Sequence, residues 1–232
     1  MPEKSETKRA VACNAAIAVL TAFAWCQMMF GWGWESAPLS GLGLSTLKYF
    51  TIQSNLLSAI VSAACVVFYL REPGKPLPRW LHGMRLVATT GVTLTCITVE
   101  AFLSPVLYGY ASMHAGANLW FHLLLPLMAI ASFCAFEADR PMPLRWTFAA
   151  IVPMALYGTG YLANILANGI PGNDWYGFSA WGMERTPIVF AVMVSVVWLI
   201  ALGLRAANQR IYRSRTRGRR VAAEQRRIVQ FM

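Results

Sequence analysis

KYFTIQSNLLSAIVSAACVVFYLR, residues 48–71, holds 22 uncharged positions between Lys48 and Arg71. At 1.5 Å per residue such a run reaches about 33 Å as an α-helix, against about 30 Å of hydrocarbon in a bilayer. The stretch therefore reads as a membrane-spanning helix. Working outward, five comparable blocks lie at roughly 10–32, 83–104, 117–137, 147–167 and 187–205, each near the roughly 20 residues a span requires. Hydrophobic residues make up 57% of the 232 positions and charged residues 13%, which excludes an ordinary globular composition. The expected fold is all-α, a polytopic membrane protein built as a bundle of six transmembrane helices. Residues 1–205 form one transmembrane domain and 206–232 a basic cytoplasmic tail. The short loops make consecutive spans antiparallel neighbours.

Charge orients the bundle. All but two of the 20 Lys and Arg residues fall in the N-terminal segment (Lys4, Lys8, Arg9), the second loop with Arg85 just beyond it, the fourth loop (Arg140, Arg145) and the tail from Arg205 to Arg227. The exceptions are Lys48 and Arg185. By the positive-inside rule both termini are expected in the cytoplasm. Trp32, Trp34, Trp120, Trp175 and Trp181 then lie near the outer boundary and Trp80 and Trp146 near the inner one, as interfacial Trp does. A cleaved signal peptide is the competing reading of the first block, with Ala22-Phe23-Ala24 as a loose cleavage site, but the apolar run continues through Met28, Met29 and Phe30, longer than such a region needs.

The net charge of +10 sits almost wholly in these loops and tail, without the aromatic interleaving or recognition motif of a nucleic-acid binder. Anionic lipid head groups are the partner that it suits. Cys13, Cys26, Cys65, Cys96 and Cys134 fall inside spans with no CxxC spacing, so no disulfide framework, metal site or cofactor is expected. No phosphate loop, HExxH or GxSxG occurs, and no oligomeric state follows.

Polar residues inside the spans carry the functional information, because hydrocarbon disfavours them unless they pair or line a cavity. In the second span Thr51, Gln53, Ser54 and Asn55 lie in the first two turns, with Ser58 and Ser62 continuing the stripe as close-packing residues. Glu100 is about 7 Å of helix rise before Pro105. Asn118 and His122 share one face of the fourth span, and Tyr157, Tyr161 and Asn164 one face of the fifth. Thr51, Asn55, Glu100, His122, Tyr161 and Asn164 are expected to converge in the outer half of the bundle. Pro126, lacking an N–H, should kink the helix at His122, and Pro153 should do so at Ala149. The loop from Asn168 to Thr186 reads as an interfacial loop, with a lid over the pocket as the alternative.

The opening Lys48-Tyr49-Phe50-Thr51, together with His122 ahead of a proline, resembles the active-site pattern of the androgen-induced protein and ADTRP family, as a bacterial relative. The resemblance implies a six-span intramembrane hydrolase of the inner membrane with a threonine nucleophile and a histidine partner, acting on fatty-acid esters of hydroxy fatty acids. In chemical terms His122 would take the Thr51 proton during attack on an ester carbonyl and return it to the leaving alkoxide. Glu100 would orient the imidazole, and Asn55, Asn164, Tyr161 or Gln53 would supply oxyanion donors. A lipid alcohol in place of water makes the same dyad an acyltransferase. A lipid or small-molecule transporter or binding protein, and an assembly protein using the polar groups as helix glue, are the readings from other classes.

Overall fold

The computed structural model describes residues 4–32, 40–179 and 182–230. Trp34 and Trp181 lie outside them. Six helices are long and apolar enough to cross a membrane: α1 (Ser5–Phe30), α2 (Phe50–Arg71), α3 (Arg79–Val106), α4 (Ala117–Phe136), α5 (Arg145–Asn168) and α6 (Thr186–Gly218). Among the described residues there is no strand. Leu156, Leu166, Ile60 and Leu199 are all exposed, an apolar exterior that suits hydrocarbon rather than water. α6 does not stop where its apolar run ends near Leu204. It continues as one helix, Thr186–Gln230, so the basic tail is a helical extension of the last span.

α3 is the central element, the most buried of the six, and small residues on it let its neighbours approach. A Cβ at Gly83 would stand 2.0 Å from the Trp146 ring of α5, so that contact requires glycine. Both proline expectations are met by interruptions. α5 breaks into Arg145–Ala149 and Val152–Asn168. α4 widens into a π turn at Trp120–Leu124, where the Leu125 N–H donates to Trp120 O, five residues back, just before Pro126. Further π segments occupy Val99–Tyr108 and Ser132–Phe136. Such wide turns re-aim every side chain beyond them.

At the end of the bundle that carries both chain ends, where Arg215 pairs with Glu6 at 2.9 Å, an ion pair is buried. Arg85 donates from Nε to Glu137 Oε2 (2.8 Å) and from Nη2 to Oε1 (3.1 Å). Asn14 and Ser132 also donate to Glu137 Oε1, at 2.8 and 2.6 Å, while Arg85 Nη1 donates to Ser62 Oγ at 3.0 Å. Both charged side chains are 0% exposed. One expectation is corrected here: Ser62 is a hydrogen-bond acceptor rather than a mere packing residue, and Arg85, counted with the cations of this end, is buried in an ion pair. The network ties α1, α2 and α3 to the C-terminal end of α4. Full satisfaction is the condition under which burying such a pair is tolerable. Arg85 opposite Glu137 holds this carboxyl below the usual range against the burial that would raise it.

Candidate active site

At the opposite end of the bundle a cavity of about 250 Å³ is lined by Thr51, Asn118, His122, Met113 and Tyr176, with Met28, Tyr49, Ile52, Leu103, Ser112 and Trp175 completing its wall. Its construction starts at the N-terminus of α2. A 3-10 turn, Gly43–Lys48, leads into an extended Tyr49, and that residue's side chain offers no cap to the helix it precedes. The first backbone N–H groups of a helix need acceptors. Here the Tyr176 phenol supplies one, accepting from Phe50 N at 3.0 Å, and it lines the cavity together with Thr51. Burial pushes the Tyr176 phenol up to about 12, so it stays neutral at ordinary pH and keeps a proton to donate.

His122 stands in the π turn of α4, and it is buried. Its Nδ1 lies 2.9 Å from Met113 O. A carbonyl only accepts, so Nδ1 carries the proton, and in the neutral ring Nε2 is left with the lone pair. The orienting carbonyl belongs to a short arch, Tyr110–Met113, entered through Gly109 at φ 76° and left through Gly116 at φ 57°. Those backbone conformations strongly favour glycine.

One helical turn before His122, Asn118 is 1% exposed, and neither its Oδ1 nor its Nδ2 has a hydrogen-bond partner. A buried amide with both ends unmet, on the wall of a cavity, is costly unless something else occupies the space.

Glu100 does not orient His122. Its carboxylate lies 2.6 Å from His114 Nε2, while His114 Nδ1 lies 2.8 Å from Tyr110 O. Two acceptors on one ring hold His114 as the imidazolium. Glu100 falls in the ten-residue π segment Val99–Tyr108, which turns it away from the direction that 3.6 residues per turn implies. The other expected donors are also placed elsewhere. Gln53 is exposed and donates to Leu47 O at 2.8 Å. Tyr161 bonds to Asp174, and Asn164 donates to Asn173 Oδ1 at 3.1 Å. Tyr157 donates to Lys48 O at 2.9 Å and accepts from Trp175 Nε1 at 3.0 Å. The α5 stripe therefore anchors the loop after it, folding Trp175 and Tyr176 over the cavity.

Asn55 is a bridge. Its Nδ2 donates to Thr51 O (2.8 Å) and Phe121 O (3.2 Å), fixing the turn that carries the hydroxyl against the turn that carries the imidazole. Thr51, Asn118 and His122 are thus the expected residues that the cavity brings together. Tyr176 and the Met113 carbonyl were not anticipated: one is a single aromatic in a loop full of them, the other a main-chain atom that no sequence signal marks. Thr51 also borders a neighbouring apolar pocket of about 40 Å³ with Tyr157 and Leu94, and beyond it a groove of about 510 Å³ runs between α2 and α5 past Leu57, Pro153 and Leu156. Comparison with protein-family models, with characterised proteins and with solved structures found no match to this chain.

Proposed function

We propose that the protein is an intramembrane lipid-ester hydrolase with Thr51 as nucleophile and His122 as general base. The observation that carries this reading is that the Thr51 hydroxyl and the imidazole line one cavity, with the ring held by Met113 O so that its free nitrogen is the basic one. A hydroxyl needs such a partner to attack at neutral pH. Nε2 takes the Thr51 proton as Oγ1 attacks the ester carbonyl and returns it to the departing alkoxide. Water, deprotonated by the same nitrogen, then attacks the acyl carbon; the bond to Thr51 Oγ1 breaks, the free acid leaves, and Nε2 returns its proton to Oγ1. The neutral Tyr176 phenol beside Thr51 and the unmet Asn118 amide are the donors available to the tetrahedral oxyanion.

The groove between α2 and α5 suits an acyl chain arriving from the bilayer rather than from water. An alcohol acceptor in place of water makes the same apparatus an acyltransferase, and fatty-acid esters of hydroxy fatty acids are the substrate class that the family resemblance suggests. The charge asymmetry supports an inner membrane with both termini cytoplasmic, which labelling of single cysteines near Trp175 from outside and near Arg217 from inside tests. For the reaction itself, purified protein is offered a panel of lipid esters beside Thr51→Ala. Turnover by the parent and none by the variant is expected, and equal turnover refutes the nucleophile.

A further inference from the structure

Far from that cavity, at the end of the bundle holding the chain termini, a pocket of about 750 Å³ opens between the start of α3, the loop joining α4 to α5, and α6 where its apolar run gives out. Four arginines, Arg79, Arg140, Arg205 and Arg213, line it together with Gln209 and Met142, and no acidic residue does. Among the described residues none of the four is ion-paired. Four guanidinium groups facing one space repel each other and call for an anion.

The walls are preorganised for one. Arg205 Nε and Gln209 Nε2 both donate to Met142 O, at 2.9 and 2.7 Å, which braces α6 against the loop. Arg140 reaches Pro76 O through Nη2 at 3.5 Å, yet its Nε is buried with no partner. Arg79 and Arg213 make no hydrogen bond among the described residues. A donor buried without an acceptor, beside uncommitted guanidinium forks, matches the tetrahedral oxygens of a phosphate, which arginine binds in bidentate fashion.

Position distinguishes the source of that phosphate. Arg79 opens α3, and Arg205 follows directly on the last apolar residues of α6, so the pocket lies at the level where hydrocarbon gives way to head groups. Trp80 next to it is 59% exposed, as a tryptophan at that level is. Basic pockets between spans at this depth suit anionic head groups. We infer that this pocket is a specific binding site for the phosphodiester head group of an anionic phospholipid, distinct from diffuse attraction along the basic tail and independent of the proposed reaction.

The test uses the full chain in a neutral detergent, following its thermal midpoint with short-chain phosphatidylglycerol, short-chain phosphatidylcholine or inorganic phosphate added. Phosphatidylglycerol is expected to raise the midpoint and phosphatidylcholine not to. The doubly substituted Arg79→Gln/Arg213→Gln protein should need roughly twentyfold more phosphatidylglycerol, at about fivefold per arginine. Arg210→Gln/Arg217→Gln removes the same charge from outside the pocket and should respond as the parent does. Because Arg79 and Arg213 hold nothing else in place, the variant should fold. If it does not, Arg79→Lys/Arg213→Lys keeps the charges and should show a weaker response than the parent. A full shift with inorganic phosphate alone overturns the lipid as the source. Equal responses to the two lipids, or equal losses in the two double glutamine variants, overturn the site.

Discussion

The Arg85–Glu137 pair and the His122 cavity, at opposite ends of the bundle, bury polar groups in opposite ways. Around Arg85 and Glu137 the donors of Asn14, Ser132 and the guanidinium meet the carboxylate, within 3.1 Å. Around His122 the ring has one fixed nitrogen, Asn118 has no partner at all, and a cavity fills the middle. A satisfied network rigidifies, whereas unmet groups beside a void are held ready for something that arrives. Burial alone therefore does not separate structure from chemistry in this chain.

The largest effect that would break this contrast is in the cavity. Thr51→Ala and His122→Ala should each cut covalent labelling by a fluorophosphonate roughly a thousandfold or more, with the thermal midpoint nearly unchanged in Thr51→Ala and lowered in His122→Ala, whose buried ring holds Met113 O, and Thr51→Ser should keep part of the labelling. A folded Thr51→Ala protein that labels like the parent would make the distal polar groups packing after all. At the other end the signs reverse. Arg85→Met alone or Glu137→Gln alone should lower stability by about 3–5 kcal/mol, because each leaves a buried partner uncompensated, while Arg85→Met with Glu137→Met should recover most of the loss. Reversible unfolding in detergent measures this, and neutral single variants would show that the network is not structural.

Asn118 sharpens the comparison from the middle of the range. Asn118→Leu removes an amide that bonds to nothing in the empty site, so stability should hold or rise by up to about 1 kcal/mol. Ester turnover should nevertheless fall about tenfold or more.

The smallest effect concerns pH. Burial alone would lower the His114 pKa, but the hydrogen bonds to Glu100 and to Tyr110 O raise it above 6.5. The pair's contribution is then complete below about 6.5 and is lost as pH rises through the higher folded value. With the ring 21% exposed the gain is a fraction of a kcal/mol. Glu100→Gln should flatten that part of the stability profile, and an unchanged profile would detach the pair from the arch.

Apolar runs and charge asymmetry made six spans legible, because a bilayer imposes length and composition on whatever crosses it. The site was legible only in part. Thr51 stands in the first turn of α2, where simple helical phase sufficed, and His122 reaches the same cavity as Asn118 although it lies in a π turn. Helical phase failed for Glu100, which lies in a ten-residue π segment where the turn widens, and Arg85 was counted only for its charge just beyond the second loop, which says nothing of its burial against Glu137. Tyr161 and Asn164 do share a face, as their spacing implies, but that face meets the loop after α5, and no periodicity reveals which neighbour a face will meet.

The main-chain partner of His122 has a consequence for how this site tolerates change. A side-chain acid holding a histidine can be lost in one substitution. A carbonyl cannot, and residue 113 is constrained only by the apolar packing of its side chain against Val99 and Leu103 while its oxygen still sets the tautomer. The fragility moves to the hinges of the arch, Gly109 and Gly116, whose positive φ angles leave little room for any other residue. Substitution should therefore be tolerated least at two glycines outside the cavity wall, while the residue bearing the orienting atom can be exchanged for another apolar side chain.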